Sequence, residues 1–206
     1  MTAIISEIIS YFEENLEASE KVGEIAYVVS AGSRGIEYLD TLREKGIDSF
    51  LLTKVSKDMQ GEMHLDMIVE ENMAEEEDTH ISNSPSSLSV DGNIYVRGTA
   101  ISTLKRNEIV EILKKRKADN LLLSSLLLSF DPVREEILGA VSEMGEAIRK
   151  VFVDAQDPTE ILMLEDFKDS MERLVESGAA VYMVGEAINV EGVIKVPEER
   201  AAELLK

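Results

Sequence analysis

Gly32-Ser33-Arg34-Gly35-Ile36-Glu37-Tyr38-Leu39 runs on to Gly46. It is followed by Phe50-Leu51-Leu52 and then by Lys54-Val55-Ser56-Lys57-Asp58-Met59-Gln60-Gly61. Ile36, Leu39 and Leu42 fall on one helical face, and Gly46 stands where a left-handed C-terminal cap belongs. Phe50-Leu51-Leu52 is apolar at every position, the pattern of a strand buried on both faces. Loop, helix and strand therefore follow in the order of a βα unit.

The same grammar returns further along. Leu121-Leu122-Leu123, Val151-Phe152-Val153 and Ala180-Val181-Tyr182-Met183-Val184 read as further buried strands. Asp131-Pro132 predicts a helix start, with Asp131 as N-cap and Pro132 in the first turn, followed by Val133, Ile137, Val141, Met144 and Ile148 at helical spacing. Another helix turns Phe167, Met171, Leu174 and Val175 inward and stops at Gly178. The alternation predicts an α/β domain: a mostly parallel sheet with helices on both faces, over residues 1–206 as one unit. Residues 25–30 and 79–97 break the rhythm, with a turn signal at Asp91-Gly92, and predict a small antiparallel lid beside the sheet. The acidic Glu75-Glu76-Glu77-Asp78 and the polar residues 82–87 read as loops leading into it.

Composition narrows the function. The 206 residues are 44% apolar and carry a formal charge of −20, so the chain folds and its surface repels phosphate backbones and anionic lipid. Neither a nucleic acid nor a membrane is expected as partner. The basic run Lys114-Lys115-Arg116-Lys117 reads as the solvated end of a helix. With no cysteine there is no thiolate nucleophile, disulfide or cysteine-ligated zinc. Residues 1–12 are apolar but are interrupted by Glu7 and lack a basic leader, so a cytoplasmic location is expected.

Candidate chemistry is sparse. His64 and His80 lack metal-pair spacing and read as satisfied or partly exposed imidazoles. Asp58, Glu62 and Asp66 lie at helical spacing but read as a solvated face, and Met144 and Met171 as core filling. No Ser-His-Asp arrangement is present, and Gly32-Ser33-Arg34-Gly35 matches no nucleotide fingerprint. As a loop entering a helix it could hold a small anion, with Arg34 adding charge.

The order of these pieces resembles the ribokinase-like fold of PfkB carbohydrate kinases, nearest the fructokinase branch. Ser6-Glu7-Ile8-Ile9-Ser10-Tyr11-Phe12 is similar to the family's first strand, Gly-Glu followed by Asp-Phe. The Gly32 stretch resembles the Gly-Gly-x-x-x-Asn helix that lines the sugar site. The Lys54 stretch resembles Lys-Val-Gly-Asp-Asp-x-Phe-Gly. Val90-Asp91-Gly92-Asn93, Arg97-Gly98-Thr99-Ala100 and Asp131-Pro132 resemble the lid strand, the sugar-side loop and the next βα unit. The resemblance implies a three-layer α/β/α fold and covers the front part of a family member.

It also implies where the sugar pocket would lie, and there the sequence departs. The Asp that accepts sugar hydroxyls falls at Ser10, the second glycine after Gly32 falls at Ser33, and the helix Asn falls at Glu37, an acceptor-only carboxylate. Val153-Asp154-Ala155-Gln156 sits where the family has Asp-Pro-Asn. Gly185-Glu186-Ala187-Ile188 sits at the metal-organising Asn-x-x-Glu. The Gly-Ala-Gly-Asp segment, which carries the family's catalytic Asp, has no counterpart before Lys206. No catalytic residue and no metal site is therefore assigned, and no cofactor is expected. The implied function is an inactive homologue acting as a regulatory or structural subunit. The alternative is an active kinase for a fructose- or ribose-like sugar, with ATP and Mg²⁺, completed by self-association or a partner chain. Either reading expects a homodimer or another protein partner. The surfaces for it would be the lid and the apolar side around Val181, Met183, Val193 and Ile194, with a tail helix bearing Ala201, Leu204 and Leu205 as a potential cover.

Overall fold

In the computed structural model, residues 1–13, 27–32, 34–90, 93–155, 165–185 and 188–205 are described. Six strands, β1 (Thr2–Ile5), β4 (Ser49–Leu52), β9 (Asn120–Ser124), β10 (Lys150–Asp154), β11 (Ala180–Val184) and β12 (Ile194–Val196), form one sheet. Their order is β12-β11-β10-β9-β1-β4, and every pairing is parallel. The register aligns Ile4 with Leu51 and Leu122, and Phe152 with Leu122 and Tyr182.

Because side chains alternate along a strand, this register sorts them into two apolar layers. Ala3, Ile5, Leu121, Leu123, Val151 and Val153 pack on one side with helices α3 (Arg106–Arg116), α4 (Val133–Met144) and α5 (Glu165–Glu176). Ile4, Leu51, Leu122 and Phe152 pack on the other with α1 (Arg34–Glu44), α2 (Met59–Glu70) and α6 (Glu198–Leu204). The expected three-layer α/β/α arrangement is thus present, and Leu121–Leu123 lies in a strand. None of the described helices is long and apolar enough to cross a membrane.

The lid is built differently from the expectation. Strands β2 (Ile9–Glu13), β3 (Tyr27–Gly32), β7 (Ser87–Val90) and β8 (Asn93–Tyr95) form a second sheet in the order β3-β2-β7-β8. It is mixed rather than antiparallel, because β2 and β7 run parallel. Of the stretch read as the family's first strand, Ser6 to Phe12, only Ile9 onward is strand, and it belongs to the lid. β1 ends before it, at Ile5. His80–Ser82 (β6) pairs with β5 (Lys54–Ser56) instead of with the lid. Residues 25, 26, 91 and 92 of the expected lid lie outside the described residues.

Two further local readings change. Pro132 occupies the N-cap position of α4 without a side-chain cap, while Asp131 accepts from Arg134 at 3.0 Å. The acidic run read as a loop and the basic run read as a solvated helix end meet. Lys115 bonds Asp78 at 2.7 Å and Glu77 at 2.5 Å, and Arg116 also reaches Asp78, which is buried. Burial works to raise the Asp78 pKa, but the hydrogen bonds and charges of Lys115 and Arg116 hold it below its ordinary value. On the α6 side, Ala201 and Leu205 are buried in the layer that holds Phe152 and Val184. The tail helix therefore supplies cover within the chain. Val181 and Met183 are buried as well, under the opposite layer.

Candidate functional site

From β1 the chain places its next sheet strand, β4, on one side and then β9 on the other. Such a reversal opens a crevice at the carboxyl ends of the strands, where α/β folds bind ligands. Ser6 and Glu7 follow β1 there, Ser124 ends β9, and Asp154 ends β10. Helix α1 starts beside them. A Cβ on Gly35 would lie 2.4 Å from the Cβ of Ser6, so this glycine lets the first turn of α1 sit directly on the end of β1.

That close approach brings Arg34, Glu37 and Tyr38 to the crevice. Arg34 Nη1 donates to Glu37 Oε2 at 2.8 Å and its Nε to Asp154 Oδ2 at 3.3 Å. The Tyr38 hydroxyl donates to Asp154 Oδ1 at 3.4 Å, and the Arg34 guanidinium lies 5.4 Å from the centre of the Tyr38 ring. Both oxygens of Asp154, which is buried, therefore face donors of the chain itself. Arg34, put forward for an anion, sits between two carboxylates. Glu37 spends a charged acceptor on it.

Ser10 is placed elsewhere in this arrangement, on lid strand β2. Its Oγ lies 2.8 Å from His64 Nε2 of α2, with both residues 2% exposed. Burial pulls the His64 pKa down to about 4 against the opposing charge of Asp58, so the imidazole is neutral at neutral pH. Gly32 pairs through its backbone with Ile9, and Ser33 lies outside the described residues.

Asp58, read from sequence as part of a solvated face, is the N-cap of α2. Oδ1 accepts from Gly61 N–H at 2.8 Å and from the Ser86 hydroxyl at 2.6 Å; Oδ2 accepts from Ser86 N–H at 2.8 Å. Burial acts to raise its pKa, yet the bonds from Ser86, Gly61 and Ser56 hold it below its ordinary value. Among the described residues no group of three or more His, Asp or Glu side chains is placed to hold a metal ion.

Sequence reasoning therefore found Arg34, Glu37 and Ser10 as positions, and missed Tyr38, His64 and Asp58 as their surroundings. The Asp58-x-x-Gly61 spacing was the available signal, since an N-cap carboxylate serves the N–H three residues on.

Solved structures share this architecture at low sequence identity. An uncharacterized sugar kinase from Pyrococcus horikoshii superposes with a TM-score of 0.65 at 15% identity, over 89% of this chain and 62% of its own. A fructokinase from Xylella fastidiosa, solved with bound ATP, gives 0.66 at 11% identity, over 89% and 60%. A PfkB protein from Polaromonas sp. JS666 gives 0.66 at 14%, over 89% and 64%. The chain thus spans less than two thirds of the length of these structures. No protein-family model and no curated protein matches it by sequence. By this overall superposition the chain has the ribokinase-like fold of PfkB sugar kinases.

Proposed function

We propose that this chain is a PfkB-type homologue without phosphotransferase activity, acting as a regulatory or structural subunit through protein contacts. One observation carries the reading: the polar side chains at the sugar-pocket positions Ser10 and Glu37 are each bonded to another side chain of the same chain. Ser10 is committed to His64, and Arg34 joins Glu37 to Asp154. A sugar would have to break a buried neutral bond at Ser10, worth about 0.5–1.5 kcal/mol, or the ion pairs of Arg34 with Glu37 and the buried Asp154, before making its own. Phosphoryl transfer depends on positioning several groups at once, and a crevice closed on itself positions none of them for a substrate.

Protein contact is supported by the lid. Its outer strand β8 presents Ile94 and Tyr95 at 42% and 54% exposure, and β8 and β3 are the two outer strands of that sheet among the described residues. A homodimer, or a complex with another protein burying more than about 1,000 Å², fits that surface. A cytoplasmic setting belongs to the same reading.

Thermal unfolding with fructose or ribose tests the pocket. A sugar present at 100 times its Kd would add about 2.7 kcal/mol and raise Tm by several degrees. No shift is expected at millimolar sugar, and sedimentation at micromolar protein should show a species heavier than one chain. A sugar-dependent Tm rise seen only in the associated species would favour a kinase completed by self-association.

A further inference from the structure

We propose that the first two turns of α2 form a latch that holds the lid sheet against the body of the domain. Asp58 and His64 both sit at the start of this helix; one holds the residue that leads into β7 and the other holds β2. Asp58 takes the N–H and the hydroxyl of Ser86, the residue before β7. His64 Nε2 is hydrogen-bonded to the hydroxyl of Ser10 on β2.

The two grips fall at the same end of adjacent strands. In the parallel β2–β7 pair, Ile9 aligns with Ser87 and Ser10 with Leu88. The other polar ties described at this end hold the lid segments to one another: Ser87 Oγ to Thr99 Oγ1 at 2.9 Å, and Ala100 N–H to Pro85 O at 2.8 Å. They join Pro85 and the first residue of β7 to the segment after β8, while Ile9 and Val96 add apolar contact with the main core. Among the polar ties described, the bonds from α2 are those that fasten the lid to a helix packed on the sheet. Gly61 sharpens the geometry, because its N–H fills a third contact of Asp58 and fixes the carboxylate's direction. The inference stands whether or not the chain transfers phosphate.

Hydrogen exchange of the full chain decides it, with Ser10→Ala and Ser86→Ala combined. These changes remove both lid-side hydroxyls and leave the cap of α2 in place. Amides of β2, β7 and β8 should exchange about tenfold faster or more, with β9 and β10 unchanged. Asp58→Asn, which keeps an oxygen for Gly61 N–H and loses an acceptor for Ser86, should move the same amides in the same direction and decides the matter if the double variant does not fold. Lid protection that stays unchanged, or a rise of equal size in β9 and β10, would overturn the latch.

Discussion

Gly61→Ala should destabilise the fold by about 3 kcal/mol, although glycine to alanine inside a helix ordinarily stabilises by about 1 kcal/mol. A Cβ at this position would lie 2.1 Å from the carbonyl oxygen of Ser56, 2.6 Å from its carbon and 2.8 Å from its Cα. All three are backbone atoms, so no side chain can rotate away. Helix α2 would have to retreat from β5, which pulls Asp58 from Gly61 N–H and Ser86 and draws His64 from Ser10. Urea unfolding measures the loss, with Gln60→Ala, one residue earlier, as a control for helix propensity. A neutral or stabilising Gly61→Ala would mean that α2 is not seated on β5 in this way.

Acid should weaken the protein well above the range where carboxylates titrate. His64 has an ordinary pKa of 6.5 and a folded value of about 4, so between these values the unfolded chain binds a proton that the folded chain refuses. Stability therefore falls as pH drops from about 6.5 to about 4, and the contribution, worth about 3 kcal/mol in all, is gone below the folded value. Asp58 faces the imidazole and opposes the shift; Glu62 and Lys57 nearby are exposed. Asp58 and Asp78, whose folded values are lowered, act at lower pH. Their contributions are present above their ordinary value of 3.8 and are lost as pH falls through the folded values. His64→Gln keeps a hydrogen-bonding partner for Ser10 but does not titrate. Its unfolding free energy should be nearly flat from pH 6.5 to 5, where the parent chain slopes. Equal slopes in the two proteins would contradict the buried, neutral His64.

The sheet was legible because its strands are buried on both faces. Leu121-Leu122-Leu123 and Val151-Phe152-Val153 have no other sensible home, and the capping glycines Gly46 and Gly178, with φ of 69° and 87°, close helices as their positions suggested. The lid was half legible. Its turn chemistry marks strands, but nothing local says that β2 pairs with β7 in parallel across more than seventy residues. Tertiary pairings of single polar groups were the least legible. Ser10 and His64 are 54 positions apart, and Arg34 and Asp154 are 120 apart. Each residue taken alone has an ordinary explanation, a surface serine or a solvated arginine, and only the fold brings the partners together. The same holds for the Lys115–Asp78 pair, where an acidic run read as a loop meets a basic run read as a solvated helix end. The resemblance carried in Gly32–Glu37 pointed to the start of α1, and the structure shows the partners of Arg34 and Glu37 there.

The central claim is that the sugar-pocket positions serve the chain's own structure and not a substrate. ADP release from Mg-ATP, measured over a panel of fructose, ribose and related sugars with the chain as it stands, tests it most directly. Release at the sugar-free background is expected for every sugar. Sugar-dependent release that disappears in Glu37→Ala would contradict it.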